Sequence, residues 1–83
     1  SGVNVFPNPA DRDLFIDVTG ELAQGVLLVR IMDNTGRLVA VKRVDNGRAT
    51  VTTADLEEGL YTYHLVREEM EVGRGTFVVA HLW

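Results

Sequence analysis

The chain has 83 residues, 46% hydrophobic and 24% charged, with a formal net charge of −4. This composition is typical of one globular domain rather than a disordered tail. The length is close to the minimum at which a hydrophobic core is sufficient without disulfides or a structural metal. The eight basic residues are scattered, which argues against nucleic acid or an anionic membrane as a partner. Without cysteine, neither a disulfide framework nor a cysteine metal site can form. No apolar run approaches the roughly 20 residues of a membrane span, so we expect no direct membrane insertion. No signal-peptide pattern is present, so if the parent protein is exported, we expect its signal to lie outside this segment.

Apolar residues alternate with a period of two, as in half-buried strands. The alternation is clearest over 14–18, 27–32 and 61–66. With the β-branched and aromatic content, it predicts strands at residues 3–6, 13–18, 26–32, 37–44, 48–53, 60–66 and 72–80. The spacing of about 8–12 residues predicts an all-β fold, a seven-stranded antiparallel immunoglobulin-like β-sandwich. We expect one domain over residues 1–83, with its core at about 3–80, and no helix beyond a single turn near 54–58.

The first predicted strand ends at a proline-rich turn. Pro7 cannot donate to a strand ladder, and Pro9 suits the second position of a turn over residues 8–11, after Asn8. The first strand should therefore stop at Phe6 or lie on a sheet edge.

Two glycine turns follow in the middle of the chain. The run 33–36 predicts a type I turn closed by a left-handed Gly36, with the Asp33 carboxylate accepting backbone N–H groups. We expect that a Cβ at Gly36 would clash. Asn46 and Gly47 supply the two positive-φ residues of a type I′ turn, which predicts a tight hairpin of the fourth and fifth strands.

The segment from Leu56 to Tyr61 predicts a corner between sheets. Tyr61 suits a tyrosine corner, in which the hydroxyl bonds to backbone a few residues upstream. Leu56 would plug the base of the core, and Gly59 would adopt the left-handed conformation. This corner is a stabilising device that serves many sandwiches.

The residues that carry chemistry do not assemble into a catalytic or metal-binding pattern. Ser1 is the only serine and lies at the terminus, so no serine triad is expected. His64 and His81 lie on different predicted strands without metal-ligand spacing, and we interpret His64 as an exposed strand residue. The run of Glu68, Glu69 and Glu71 is interpreted as a solvated hairpin tip. We therefore expect no enzymatic activity, metal or cofactor.

The last predicted strand ends in an apolar run from Phe77 to Ala80, continued by Leu82 and Trp83. Apolar terminal edges invite pairing with another chain. In the simplest interpretation Phe77 and Val79 face the core and Val78 faces outward. In the functional one, another protein recognises this strand, and a homodimer through it is a further hypothesis.

The spaced motifs together resemble the C-terminal sorting domain of bacterial type IX secretion cargo. Each motif alone would also serve an unrelated sandwich, but the resemblance spans roughly residues 3–80. It is carried by the opening Val5–Ala10, the turn Asp33–Arg37, the corner Leu56–Tyr61 and the strand Gly73–Ala80. At its end the chain departs from the family pattern, because His81, Leu82 and Trp83 extend further than usual.

This resemblance implies a non-catalytic export label read by outer-membrane type IX translocon and shuttle proteins. The parent protein would cross the periplasm, and a sortase-like protease at the surface would remove the label near or before Ser1 and Gly2, releasing or anchoring the cargo. The label would stand at the C-terminus of the parent. Candidate recognition residues are Asp33, Gly36, Arg37, Gly73, Arg74, Gly75, Phe77, Val78 and Val79. Candidate structural residues are Pro7, Asn8, Pro9, Leu56, Gly59 and Tyr61.

Two other classes stay open. A fibronectin-like or immunoglobulin-like spacer of a surface protein fits the tyrosine corner equally well. A carbohydrate-binding module would need exposed aromatic side chains, whereas the six aromatic residues here fall mostly in core-like alternation.

Overall fold

The computed structural model describes residues 2–81 and contains two antiparallel β-sheets. The strands are β1 (Val3–Phe6), β2 (Asp13–Val18), β3 (Leu28–Met32), β4 (Leu38–Arg43), β5 (Arg48–Thr52), β6 (Gly59–Arg67) and β7 (Met70–Val79). One sheet has the order β1-β2-β5, and the other has the order β4-β3-β6-β7. The prediction of an all-β antiparallel fold is confirmed.

The β6–β7 hairpin is longer than predicted. Its loop consists of two residues, Glu68 and Glu69, which both have positive φ, at 51° and 65°. Pairing therefore begins at Arg67 and Met70. Glu71 lies within β7 rather than in a loop, which corrects the prediction of a glutamate-rich hairpin tip.

A short 3₁₀ helix at Gly20–Ala23 joins β2 to β3 and was not predicted. The turn expected near 54–58 is present, since the Leu56 N–H donates to the Thr53 carbonyl at 3.0 Å. No helix among residues 2–81 has the length and apolar character needed to cross a bilayer.

The core lies between the two sheets and is formed by alternate residues of their strands. Strands β2, β3 and β6 contribute the three alternating sets that the sequence predicts. The fully buried apolar residues include Leu14, Ile16, Val18, Val29, Ile31, Val51, Leu65, Phe77 and Val79. Tyr61 and Tyr63 are also buried, and the Tyr61 ring stacks on Phe77 at 5.6 Å between centroids.

The Asn46–Gly47 turn forms as predicted, but the strands beside it do not form a continuous hairpin. Asn46 and Gly47 have φ of 51° and 78°. The turn closes at a single bridge between Asp45 and Arg48, after which β4 joins one sheet and β5 joins the other. The predicted tight pairing of these strands is therefore wrong, because each strand packs its apolar face into a different layer.

Candidate recognition surface

The turn from β3 to β4 is organised by the carboxylate of Asp33. Its Oδ1 accepts hydrogen bonds from the Thr35 N–H at 2.9 Å, the Thr35 hydroxyl at 2.6 Å and the Arg37 N–H at 3.0 Å. These bonds, first of all the one from the Thr35 hydroxyl, lower the pKa of Asp33 to about 2. The predicted role of Asp33 as an acceptor within the turn is confirmed. Most of this carboxylate is therefore engaged inside the turn.

Gly36 is left-handed, with φ of +87°, and its N–H donates to the Asp33 carbonyl at 3.0 Å. A Cβ at this position would meet no atom within 4 Å beyond its neighbours in the chain. The prediction that Gly36 is left-handed is confirmed, and the strain of a Cβ here arises from the local backbone rather than from distant atoms. Glycine is favoured here because side chains rarely tolerate this φ.

Arg37 presents the exposed charge of this turn. Its Nε lies 3.2 Å from Asp33 Oδ2, while 78% of the Arg37 side chain is exposed against 16% for Asp33. A partner approaching the turn would therefore meet the guanidinium of Arg37 rather than the carboxylate.

The candidate recognition residues of β7 point in two opposite directions. Phe77 and Val79 are each 1% exposed and belong to the core, whereas Val78 is 39% exposed. Arg74 is also exposed on the side of Val78. A partner cannot touch Phe77 or Val79 in the folded domain, so these two residues are corrected from contact residues to core residues.

Gly73 and Gly75 leave room for side chains of β6 that lie over β7. A Cβ on Gly75 would stand 2.4 Å from the Tyr63 hydroxyl oxygen and 2.5 Å from its ring carbon Cζ. A Cβ on Gly73 would lie 3.2 Å from Leu65 Cδ1. A Cβ on Gly75 would thus overlap the Tyr63 ring, whereas one on Gly73 would require only a small shift of Leu65, and neither glycine offers a side chain to a partner.

The side of the four-stranded sheet turned away from the core is called here the outer sheet face. Directly paired residues of neighbouring strands share a face, so one row across it runs Val41, Arg30, His64 and Arg74. Leu60 and Val78 form another pair on the same side.

Ion pairs hold one end of this row. Arg74 donates to both carboxylate oxygens of Glu71 at 2.8 Å, and His64 Nδ1 lies 3.4 Å from Glu71 Oε1. The hydrogen bond from Arg74 lowers the pKa of Glu71 and raises that of Arg74. The His64 side chain is 22% exposed, so the interpretation of it as an exposed residue is wrong.

A shallow concavity brings part of the β3–β4 turn next to β7. Asp33 and Gly36 line it together with Arg74, and Leu60 and His64 form its floor. Arg37 lines the neighbouring concavity, which is bounded on its other side by the loop before β6. The structure thus brings together the turn and Arg74, which are about 40 residues apart in sequence.

The proline-rich segment after β1 covers the free edge of β7. The Asn8 side-chain oxygen accepts the Val78 N–H at 3.0 Å, and the Ala10 N–H donates to the Val78 carbonyl at 2.8 Å. The Ala80 N–H then donates to the Ala10 carbonyl at 2.9 Å. Pro7 and Pro9 both follow cis peptide bonds. Asn8 therefore provides a hydrogen-bond partner at the edge of the last strand, which the sequence predicts to be unprotected.

The corner before β6 contains the expected backbone contact. The Tyr61 hydroxyl donates to the Glu57 carbonyl at 2.6 Å, and burial raises the pKa of Tyr61. Leu56 is half-buried against the core. Gly59 has φ of +152°, a positive value that residues with side chains rarely adopt, in agreement with the predicted need for glycine at this position.

His81 makes contacts that sequence reasoning missed. Its Nδ1 lies 2.8 Å from Asp11 Oδ1, its Nε2 lies 2.7 Å from the Leu56 carbonyl, and its N–H donates to Glu58 Oε2 at 2.7 Å. Both ring nitrogens face acceptors, so the arrangement favours the doubly protonated imidazolium. The bond to Leu56, then that to Asp11, raises the pKa of His81. No local motif predicts these contacts, and the neighbouring Leu82 and Trp83 lie outside the described residues.

Among residues 2–81 no group of three or more histidine, aspartate or glutamate side chains is arranged to hold a metal ion. The exposed features are instead a basic turn, an arginine on β7 and a partly apolar sheet face. Such features suit recognition by another protein.

Comparison with known proteins gives one family. A comparison with individually curated proteins finds no match. Residues 4–79 match the family described as the secretion system C-terminal sorting domain, a family of type IX secretion signals and not a known enzyme family. This match covers all seven strands apart from Val3, together with the Asp33 turn and the tyrosine corner, and the chain therefore belongs to the secretion system C-terminal sorting domain family.

Proposed function

We propose that this chain is a single, non-catalytic domain that outer-membrane type IX translocon and shuttle proteins recognise in the folded state. The observation that carries the proposal is the family match over residues 4–79, combined with the exposed arginines of the turn and of β7. The parent protein passes through the periplasm to the cell surface or the medium. There a sortase-like protease removes the domain upstream of β1, near or before Ser1 and Gly2.

Within this proposal, the candidate residues divide into those that contact the translocon and those that position them. Arg37, Arg74 and Val78 are exposed and contact it. Asp33 and Gly36 shape the turn that presents Arg37. The core and packing residues Gly73, Gly75, Phe77 and Val79 hold β7 in place.

The strand order supports an immunoglobulin-like assignment for the fold. A three-stranded sheet β1-β2-β5 packs against a four-stranded sheet β4-β3-β6-β7, with a tyrosine corner at the start of β6. That corner is frequent in immunoglobulin-like sandwiches. The same observation keeps a second candidate function, a structural or adhesive spacer in a surface protein.

The export test fuses residues 1–83 to the C-terminus of a periplasm-directed reporter in a bacterium with an active type IX system. We expect the reporter to reach the surface or the medium without the domain. If the intact fusion stays in the periplasm while the strain exports its own cargo, the sorting function is wrong and the spacer function is preferred.

Point variants of the fusion test recognition. We expect Arg37→Ala combined with Arg74→Ala to reduce export strongly, because both exposed charges are lost. Exposed substitutions of this kind change stability by less than about 0.5 kcal/mol each. Arg12→Ala removes an exposed arginine from the loop between β1 and β2 and serves as the matched control, which we expect to be exported normally.

A further inference from the structure

The outward-facing surfaces of the two sheets differ in how far their apolar side chains are exposed to solvent. On the three-stranded sheet, Phe6 and Phe15 are half-buried, and the Arg48 guanidinium lies over both rings at 5.5 and 4.9 Å from their centroids. Asp17 holds that guanidinium through two hydrogen bonds of 2.6 and 3.0 Å. The apolar surface of this sheet is therefore shielded by the protein itself.

The outer sheet face has no such shield. The large hydrophobic side chains that are exposed include Leu28, Leu38, Val41, Leu60 and Val78, all on strands of the four-stranded sheet. Within residues 2–81, none of the exposed large hydrophobic residues lies on β1, β2 or β5. Apolar exposure concentrated on one face marks an interaction surface.

Arg30 stands within this apolar surface without a counter-ion. It lies between Val41 on β4 and His64 on β6. Arg74 pairs with Glu71, and Arg43 lies 3.5 Å from Asp45, whereas Arg30 forms no ion pair with any of residues 2–81. An exposed arginine beside apolar side chains is a frequent binding hot spot when a partner carboxylate meets it.

The charge of the face also argues against a second copy as its occupant. A symmetric dimer through this surface would use the same patch on both chains and bring two unpaired Arg30 side chains toward each other. Juxtaposed like charges disfavour such a complex.

We infer that the outer sheet face docks a partner protein that presents apolar side chains around a carboxylate, and that this carboxylate pairs with Arg30. This inference rests on the proposed function, since the partner would belong to the export machinery. Arg30 and Val41 form the centre of the contact, and the turn at Arg37 lies at its rim.

The test uses the reporter fusion with substitutions on either sheet. Arg30→Glu and Val41→Glu are expected to lower the exported fraction by about tenfold or more, whereas Arg30→Lys retains most export. Arg12→Glu and Thr50→Glu place the same new charge at exposed positions away from this face and should be exported like the unaltered fusion. Thermal unfolding of each isolated variant establishes that the fold is kept.

The outcomes separate the inference from the function on which it rests. Failure of the unaltered fusion to leave the periplasm overturns the proposed function. Normal export of folded Arg30→Glu overturns this inference alone. If Val41→Glu should prove unfolded, Val41→Thr, which keeps the shape of the side chain, takes its place.

Two further measurements test the occupant. Suppressors of Arg30→Glu, selected for restored export, are expected to replace an aspartate or glutamate in the partner with lysine or arginine. If no suppressor replaces a partner carboxylate in this way, the inferred pairing of Arg30 with a carboxylate is overturned. In sedimentation, Arg30→Glu should leave the oligomeric state of the isolated domain unchanged. A dimer that Arg30→Glu dissociates would instead assign the face to self-association.

Discussion

At the scale of single residues, the polar contacts of this domain act mainly on its turns and termini. Asp33 holds four hydrogen bonds around the β3–β4 turn, including one from the Arg37 side chain. His81 connects the end of the described chain to Asp11 and to the loop at Leu56. Asp33 positions the exposed Arg37, so its effect on the proposed recognition is indirect.

Deprotonation of His81 should lower the stability of the folded domain as the pH rises. A raised folded-state pKa contributes stability that is fully present below the unfolded value of about 6.5 and is lost as the pH rises through the folded pKa. We expect the Tm, measured by circular dichroism, to fall as the pH rises above about 6.5.

The matched variants identify the group responsible. His81→Gln should flatten this dependence, while His64→Gln, at the other histidine, should keep it. An equal slope in all three proteins would show that His81 is not held as an imidazolium.

At the scale of strands, β7 is fitted to its neighbours along both edges. Toward β6 its two glycines accommodate Leu65 and Tyr63. Toward solvent its C-terminal half is covered by Asn8 and Ala10. Pairing alternates along a strand, so Arg74 and Thr76 present the backbone groups of β7 that stay uncovered. Strand addition is therefore restricted to that short stretch, and a homodimer through β7 stays a prediction.

The fit of Tyr63 over Gly75 can be measured. Gly75→Ala should destabilise the domain by about 1–3 kcal/mol, because the new Cβ overlaps the Tyr63 ring. This cost exceeds the roughly 0.5–1 kcal/mol that alanine gains over glycine in a strand. Urea unfolding of Gly75→Ala gives the difference directly.

Two comparisons show whether the overlap is the cause. Thr76→Ala, at the adjacent outward position, should change the free energy of unfolding by less than about 0.5 kcal/mol. In a Tyr63→Val background the penalty of Gly75→Ala should largely disappear, and an undiminished penalty would locate the strain elsewhere.

At the scale of the whole molecule, one core joins the two sheets, and β7 contributes Phe77 and Val79 to it. Phe77 and Val79 are buried against β6, and Ala10 from the other end of the chain is completely buried beside them. Domains of this length have unfolding free energies of roughly 4–12 kcal/mol. Removing one buried phenylalanine side chain already costs about 3–5 kcal/mol.

A chain without residues 74–83 should therefore be unfolded. We expect it to lose cooperative thermal unfolding and the dispersed amide signals of its proton NMR spectrum. Removal of only Leu82 and Trp83 is the control, because it removes no residue of the core that the structure describes. Cooperative unfolding of the chain lacking 74–83 would contradict this. If deletion of residues 74–83 abolishes export, unfolding of the domain is a sufficient explanation. Recognition is therefore tested only by point variants that keep the fold.

The sequence by itself determined the features set by local sterics and by periodicity. Alternation predicted the inward residues of β2, β3 and β6, and the Asp33 and Asn46 turns follow from residues that tolerate their backbone conformations. The resemblance to the sorting domain family was also readable, because its motifs are short segments in a set order. These signals extend over a few residues and need no knowledge of the partner strand.

Only the tertiary structure decided which strands share a sheet and which groups meet across the chain. The separation of β4 from β5, the positive φ of Glu68 and Glu69, and the contact of Asn8 with Val78 each depend on where distant segments pack. Among the residues that the structure describes, the same packing left Arg30 without an ion pair on a partly apolar face. Burial of apolar surface selects among many locally allowed pairings, so these features depend on the sum of contacts in the folded chain rather than on any local signal.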